Sequence, residues 1–211
     1  MANKEKSLAP LLSALRDLLA WIGARNAKGV IIGGVAASIL GRPRFTRDVD
    51  LVVLLDQEDW GDFLTAGERF GFVSRRSDAL DFAMKTRVLL VHHQPTTIDI
   101  DVSFGALPFE EEIISRSTLQ DVGGVLVPIP TPEDLIIMKA VAHRPRDLAD
   151  VEAVSDAHPN LDLNRVRRWV GEFASLLEMP EIMIDLEKIL SKRSKRGSLI
   201  GRSPKRSSRR T

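Results

Sequence analysis

Cysteine is absent from the 211-residue chain, which removes disulfide frameworks, thiolate zinc sites and cysteine nucleophiles together. No apolar run approaches the roughly 18–20 residues that a membrane span needs. The opening MANKEKSLAP also lacks the basic-then-apolar order of a secretory signal. These absences predict a cytoplasmic protein with no membrane partner. Acidic residues are missing from Ser191 onward, where SKRSKRGSLIGRSPKRSSRRT carries nine basic side chains, so the formal net charge of +1 hides an acidic body of 21 basic against 29 acidic residues. A tail so rich in charge, serine and glycine buries too little surface to offset its ordering entropy and reads as disordered. It is either a polyelectrolyte arm for nucleic acid or a solvated terminus.

What is present fits an ordinary globular chain. Hydrophobic residues make up 44% and charged residues 28%, enough for one substantial core with elaborations. Apolar residues at helical spacing (Leu11, Leu12, Leu15, Leu18, Leu19, Ile22) predict an amphipathic helix over 8–26. A short buried strand at 29–32 then meets the turn Gly33-Gly34, with a helix over 35–40. The β-branched run 49–55 predicts a central strand, and a helix follows over 58–69 with Asp56 as its cap. Strand-like runs at 82–91 and 97–104 are joined by the loop HHQPTT. Proline and glutamates open a helix over 108–117, and a short strand follows at 126–129.

From Thr131 the pattern is helical only: TPEDLIIMKAVAH with a threonine cap, RPRDLADVEAV, 163–177 and 181–190. The fold class predicted is α/β (α+β), a small mixed sheet flanked by helices over 1–130, a helical C-terminal portion over 131–190 and the tail 191–211.

The chemistry concentrates in four aspartates. Side chains two apart on a strand share a face, roughly 6.6–6.8 Å apart along the chain, so Asp48 and Asp50 point the same way. Asp99 and Asp101 repeat the arrangement in TTIDIDVSF. Carboxylates that close repel one another unless a cation or shared proton lies between them, and three or four converge if the two strands are neighbours. Oxygen-only ligation favours magnesium or manganese, and a pair of ions roughly 3.5–4 Å apart suits phosphoryl or nucleotidyl transfer. Gly33 and Gly34 at a strand-to-helix junction let the backbone approach a phosphate. GGVAASILG matches neither the phosphate-loop NTPase motif nor the dinucleotide fingerprint, which weakens both those classes.

Several residues carry two readings. Asp48 and Asp50 are metal ligands or strand-end partners of Arg42, Arg44 or Arg47, and the second pair favours metal. Arg44 and Arg47 are such partners or phosphate contacts. Lys139, in the apolar run LIIMKAVA, either reaches an anion or carries its head to water. Asp147 and Asp150 read as structural helix-start or ion-pair residues. His92 and His93 point to opposite faces and read as bland. Trp169 reads as core rather than as a base-stacking platform.

The order apolar-Gly-Gly, a spacer, RFTRDVDLVV and later IDVSFG resembles the DNA polymerase beta type nucleotidyltransferases, nearest the AbiEii-type toxins and the minimal nucleotidyltransferases. The shared residues are Arg44, Thr46, Asp48 and Asp50, with PEDLIIMKAVAHRPRDLADV further on, and the likeness spans about 29–154. It implies that Gly33, Gly34, Arg44, Thr46, Arg47 and Lys139 bind the nucleotide. Asp48, Asp50 and Asp101 would bind two Mg2+ or Mn2+ ions and act in catalysis. The resemblance places the third carboxylate in the frame DVSFGALPFE, which implies Asp101, with Asp99 the alternative.

The activity implied is magnesium-dependent transfer of NMP from an NTP such as ATP to a hydroxyl on RNA such as tRNA, on protein or on a small molecule. A partner protein of a toxin-antitoxin pair is implied as well. The competing readings are a non-catalytic nucleotide- or partner-binding member and an RNA-binding protein driven by its tail.

Overall fold

The computed structural model describes residues 2–44, Thr46 and 48–200, and the side chains of those from Leu8 to Arg193. Two compact units result, 1–135 and 136–211.

The first unit is built on a five-stranded sheet of order β1-β2-β5-β4-β3. Its strands are β1 (Lys28–Ile32), β2 (Asp48–Leu54), β3 (Phe72–Ser74), β4 (Val88–His93) and β5 (Ile98–Phe104). β2 and β5 run parallel and every other pairing is antiparallel, so the sheet is mixed as the sequence predicts. Five helices belong to this unit: α1 (Ala2–Ala24), α2 (Gly33–Leu40), α3 (Trp60–Gly67), α4 (Ala79–Thr86) and α5 (Pro108–Arg116). A hairpin of β6 (Thr118–Val122) and β7 (Val125–Ile129) turns through Gly123 and Gly124, both at positive φ, which a two-residue hairpin turn requires.

The β strands alternate between two environments. Val49, Leu51 and Val53 of β2, Ile100, Val102 and Phe104 of β5, and Leu89, Val91 and His93 of β4 are buried on one face. The largest fully buried side chains are aromatic: Trp21, Trp60, Phe63, Phe72 and Phe104. Trp21 of α1 stacks on Phe63 at 4.2 Å and on Phe72 at 4.9 Å, while its Nε1–H donates to the Phe63 carbonyl at 2.8 Å. Full burial of such a ring contributes about 2–3 kcal/mol. Gly67 is required opposite it, since a Cβ there would lie 2.7 Å from the indole.

The second unit holds α7 (Pro145–Ala157), α8 (Leu163–Leu176) and α9 (Glu181–Ile200), and α6 (Pro132–Ala142) runs through the boundary. Val151, Val154, Val166, Val170, Ile182, Leu186 and Leu190 form its core. Caps follow the sequence: the Asp134 N–H donates to Thr131 Oγ1 at 3.2 Å, and the Arg165 N–H donates to Asp162 Oδ1 at 3.0 Å.

Local structure departs from the sequence-based expectation at several places. The helix over 58–69 is broken into a 3-10 turn (Gln57–Asp59), α3 and a second 3-10 turn (Glu68–Phe70), and the Asp56 side chain makes no capping bond. Residues 82–86 are helical rather than extended, because Arg87 at φ +58 ends α4 and turns the chain into β4. His92 and His93 lie in β4, not in a loop. β3 and β6 escape the pattern, the first for its three-residue length and the second for its polar sequence TLQDV. α9 continues to Ile200 instead of stopping at Leu190, so the first ten residues of the tail are helical. Residues 201–211 lie outside the described residues.

Candidate functional site

The parallel pairing of β2 with β5 sets the site. Its register places Asp48 opposite Asp99 and Asp50 opposite Asp101. Neighbouring strands lie about 4.8 Å apart and opposed positions share a face, so the four aspartates form a two-by-two array. They occupy the face that Val49, Leu51, Ile100 and Val102 do not use for the core, and none of the four is fully buried.

The glycine turn is built against this array. Gly33 has φ +61, a conformation that side chains strain, and a Cβ on it would overlap the Asp50 carboxylate. A Cβ on Gly34 would meet Thr46 Cγ2 at 3.0 Å and the Arg44 guanidinium at 3.5 Å. Both close approaches bring the backbone of the turn beside Asp50, Thr46 and Arg44. Gly33 and Gly34 form the first turn of α2, whose start carries no side-chain cap, and such a terminus favours an anion. The loop before β2 is pinned in turn: Ser38 Oγ–H donates to the Arg44 carbonyl at 2.9 Å, and Thr46 Oγ1–H to the Asp48 carbonyl at 3.3 Å. Arg47 lies outside the described residues.

Two residues that the sequence did not single out for the site complete its electrostatics. Arg75, just after β3, reaches Asp99 Oδ2 with Nη1 at 3.2 Å and Asp101 Oδ1 with Nη2. His92 Nδ1 pairs with Asp99 Oδ1 at 2.7 Å. The His92 hydrogen bond first, then Arg75, holds the Asp99 carboxyl below the ordinary carboxylate range against the opposing effect of burial. No sequence signal separates Arg75 from Arg76, which forks onto Asp78 at 2.8 Å instead. His92 becomes legible only once β4 is known to pair with β5, opposing His92 to Asp99.

Lys139 belongs to the second unit and is buried there. Its Nζ lies 2.7 Å from Asp147 Oδ1 and 3.2 Å from Asp150 Oδ2, with side-chain exposures of 9%, 1% and 10% for the three residues. Burial by itself would raise the Asp147 carboxyl, but hydrogen bonds from Arg144 and Lys139 outweigh it and hold the group low. The structural reading of Asp147 and Asp150 thus has its partner, and Lys139 is engaged within its own unit.

As to a metal, the donor set fits in kind: all-oxygen carboxylates on adjacent strands, beside a backbone turn suited to phosphate. As the side chains stand, no three acidic or histidine groups among the described residues are disposed to hold one ion, with Asp99 and Asp101 drawn to Arg75.

A small mixed sheet flanked by helices is the nucleotidyltransferase-like fold. An antigenic nucleotidyltransferase-like protein from Paracoccidioides brasiliensis shares the fold, with a TM-score of 0.52 at 17% identity over 83% of this chain and 92% of that one. The antibiotic-resistance factor ANT(2'')-Ia matches in solution with a TM-score of 0.45 at 15% identity, over 90% of this chain and 95% of that one. In its crystal complex with adenylyl-2''-tobramycin the values are 0.46 and 17%, over 86% and 98%. No curated protein matches the sequence. The family described as nucleotidyl transferase AbiEii toxin, type IV TA system, matches residues 17–195. The chain belongs to that family. No helix among the described residues is long and apolar enough to cross a membrane.

Proposed function

We propose that this protein transfers a nucleotidyl group from an NTP to a hydroxyl acceptor on RNA, with tRNA the favoured class, as the toxin of a toxin-antitoxin pair. The observation that carries the reading is the β2–β5 register, which aligns Asp48 with Asp99 and Asp50 with Asp101 beside Gly33. The family match supports the same chemistry and suggests the antitoxin partner.

In this reading the Gly33-Gly34 backbone and the start of α2 seat the polyphosphate, Arg44 and Thr46 line its approach, and Arg47 would add a further cation. Asp48, Asp50 and Asp101 would hold two Mg2+ or Mn2+ ions, which supply charge neutralisation at the α-phosphate and a more nucleophilic acceptor oxygen. Asp101 stands on the neighbouring strand, where its second carboxylate oxygen can take the acceptor hydroxyl proton. Asp99, held by His92 and Arg75, keeps the β5 end of the array in place. The acceptor oxygen attacks in line and pyrophosphate leaves. Lys139, which the family resemblance assigns to the nucleotide, is paired with Asp147 and Asp150 within the second unit.

The test is incubation of the chain with each labelled NTP, magnesium and total cell extract, followed by identification of the labelled species. Asp48→Ala and Asp50→Ala are expected to lower transfer at least about a hundredfold while the fold persists. Label transfer retained by either variant would overturn the assignment. A second reading, a nucleotide- or partner-binding member without turnover, draws on the Arg75 fork across Asp99 and Asp101. Calorimetric NTP binding with no labelled product in any extract would favour it.

A further inference from the structure

Arg75 stands on the bend after β3, and its N–H donates to the Leu90 carbonyl at 3.0 Å, which ties its backbone to the strand beside β5. From there the guanidinium spans two positions of one strand face, Asp99 and Asp101, and engages both carboxylates. The Arg75 side chain is 29% exposed and each aspartate side chain 43%, so the fork stands at the surface, partly open to solvent. His92 holds Asp99 from a second direction, whereas Arg75 is the cation the structure gives Asp101. A guanidinium and a dication repel each other and cannot both draw on the same carboxylate lone pairs. The acidic groups of this face accordingly stand short of any three-ligand arrangement among the described residues.

We propose that Arg75 is a resident counter-cation that competes with the divalent ion for Asp101. It neutralises the β5 carboxylates when no ion is bound and releases Asp101 when one is taken up, so metal uptake and Arg75 release are a single exchange. The inference rests on the metal-dependent reading above and adds a residue to it that the motif does not include.

The test is titration of the full chain with Mn2+ in the absence of nucleotide, following free Mn2+ by electron paramagnetic resonance. Wild type, Arg75→Gln, Arg75→Lys and Arg76→Gln are compared, with circular dichroism as the check of folding. Arg76 is the control because it removes an adjacent charge that is spent on Asp78. Arg75→Gln is expected to bind Mn2+ roughly three- to tenfold more tightly than wild type, with Arg75→Lys in between and Arg76→Gln within about twofold. Equal or weaker binding by Arg75→Gln overturns the proposal, and so does an equal gain in Arg76→Gln, which would be an effect of overall charge. Should Arg75→Gln fail to fold, Arg75→Lys decides by the same titration, since it keeps the charge and loses the fork. Absence of saturable Mn2+ binding by both wild type and Arg75→Gln overturns the metal-dependent reading itself. That result is distinct from one in which wild type binds and the variant gains nothing.

Discussion

At Gly33 two demands meet in one residue, a left-handed φ and the Asp50 carboxylate lying where a Cβ would go. Either alone would tolerate an adjustment, but relieving the overlap moves the very carboxylate that the site is built on. Gly33→Ala is expected to destabilise the first unit by about 2 kcal/mol, from left-handed strain plus the displaced side chain, and to weaken NTP binding more than the stability loss explains. Urea unfolding combined with calorimetry of NTP binding on the folded protein checks both. Gly34→Ala meets Thr46 and Arg44 at ordinary to tight contact distances, with no positive φ, and should be milder. The sequence shows these glycines as a pair at a junction. That only one of them needs glycine for its backbone conformation is visible only when β1 and β2 are paired.

At the scale of elements, Lys139 of α6 is paired with Asp147 and Asp150 of α7 in a buried charge cluster. Removing Lys139 takes a buried counter-charge from two carboxylates, although Arg144 still donates to Asp147, so Lys139→Ala should cost the second unit about 3 kcal/mol. The measurement is the urea midpoint of Lys139→Ala, Asp147→Ala and the double variant. Strong coupling, with the double variant losing much less than the sum of the singles, is the expected signature. The helical period made α6 and α7 legible and the run LIIMKAVA flagged the lysine as costly. What satisfies it, eight and eleven positions away, depends on how the two helices turn their faces, and side-chain spacing within one helix does not contain that.

For the molecule as a whole, the histidine and carboxyl groups with resolved shifts pull stability down as pH falls. Burial depresses the His93 imidazole below its usual value despite Asp17 Oδ2 at 3.1 Å from Nε2, and His93 Nδ1 meets Thr96 Oγ1 at 2.7 Å. The folded state therefore binds this proton less readily than the unfolded chain, and stability falls as pH drops below the unfolded value of about 6.5. Asp147 and Glu187 are also held low, the latter by its hydrogen bond from Arg167 at 2.6 Å, so their contributions are present above about pH 4 and lost as pH falls through the folded values. The expected outcome is a urea midpoint that declines from pH 7.5 to 5.5 and again below about pH 4.5. His93→Gln, which cannot titrate, should flatten the first decline and leave the second.

Composition and motif order determined the kind of molecule: absent cysteine, absent apolar spans, a period-2 pattern interrupted by aspartates and a late helical region are local properties that no folding is needed to read. The two-by-two array was a conditional inference from the sequence, because alternation fixes which face Asp48, Asp50, Asp99 and Asp101 share within each strand and says nothing about which strands are neighbours. Tertiary structure decided the rest, placing β5 parallel to β2 in the register that opposes the pairs and bringing Arg75 and His92 onto the same face. It also turned Lys139 toward Asp147. The physical reason is range: strand alternation and helical period act over a few residues, whereas the charges that meet these carboxylates come from chain segments that only sheet pairing and helix packing bring together.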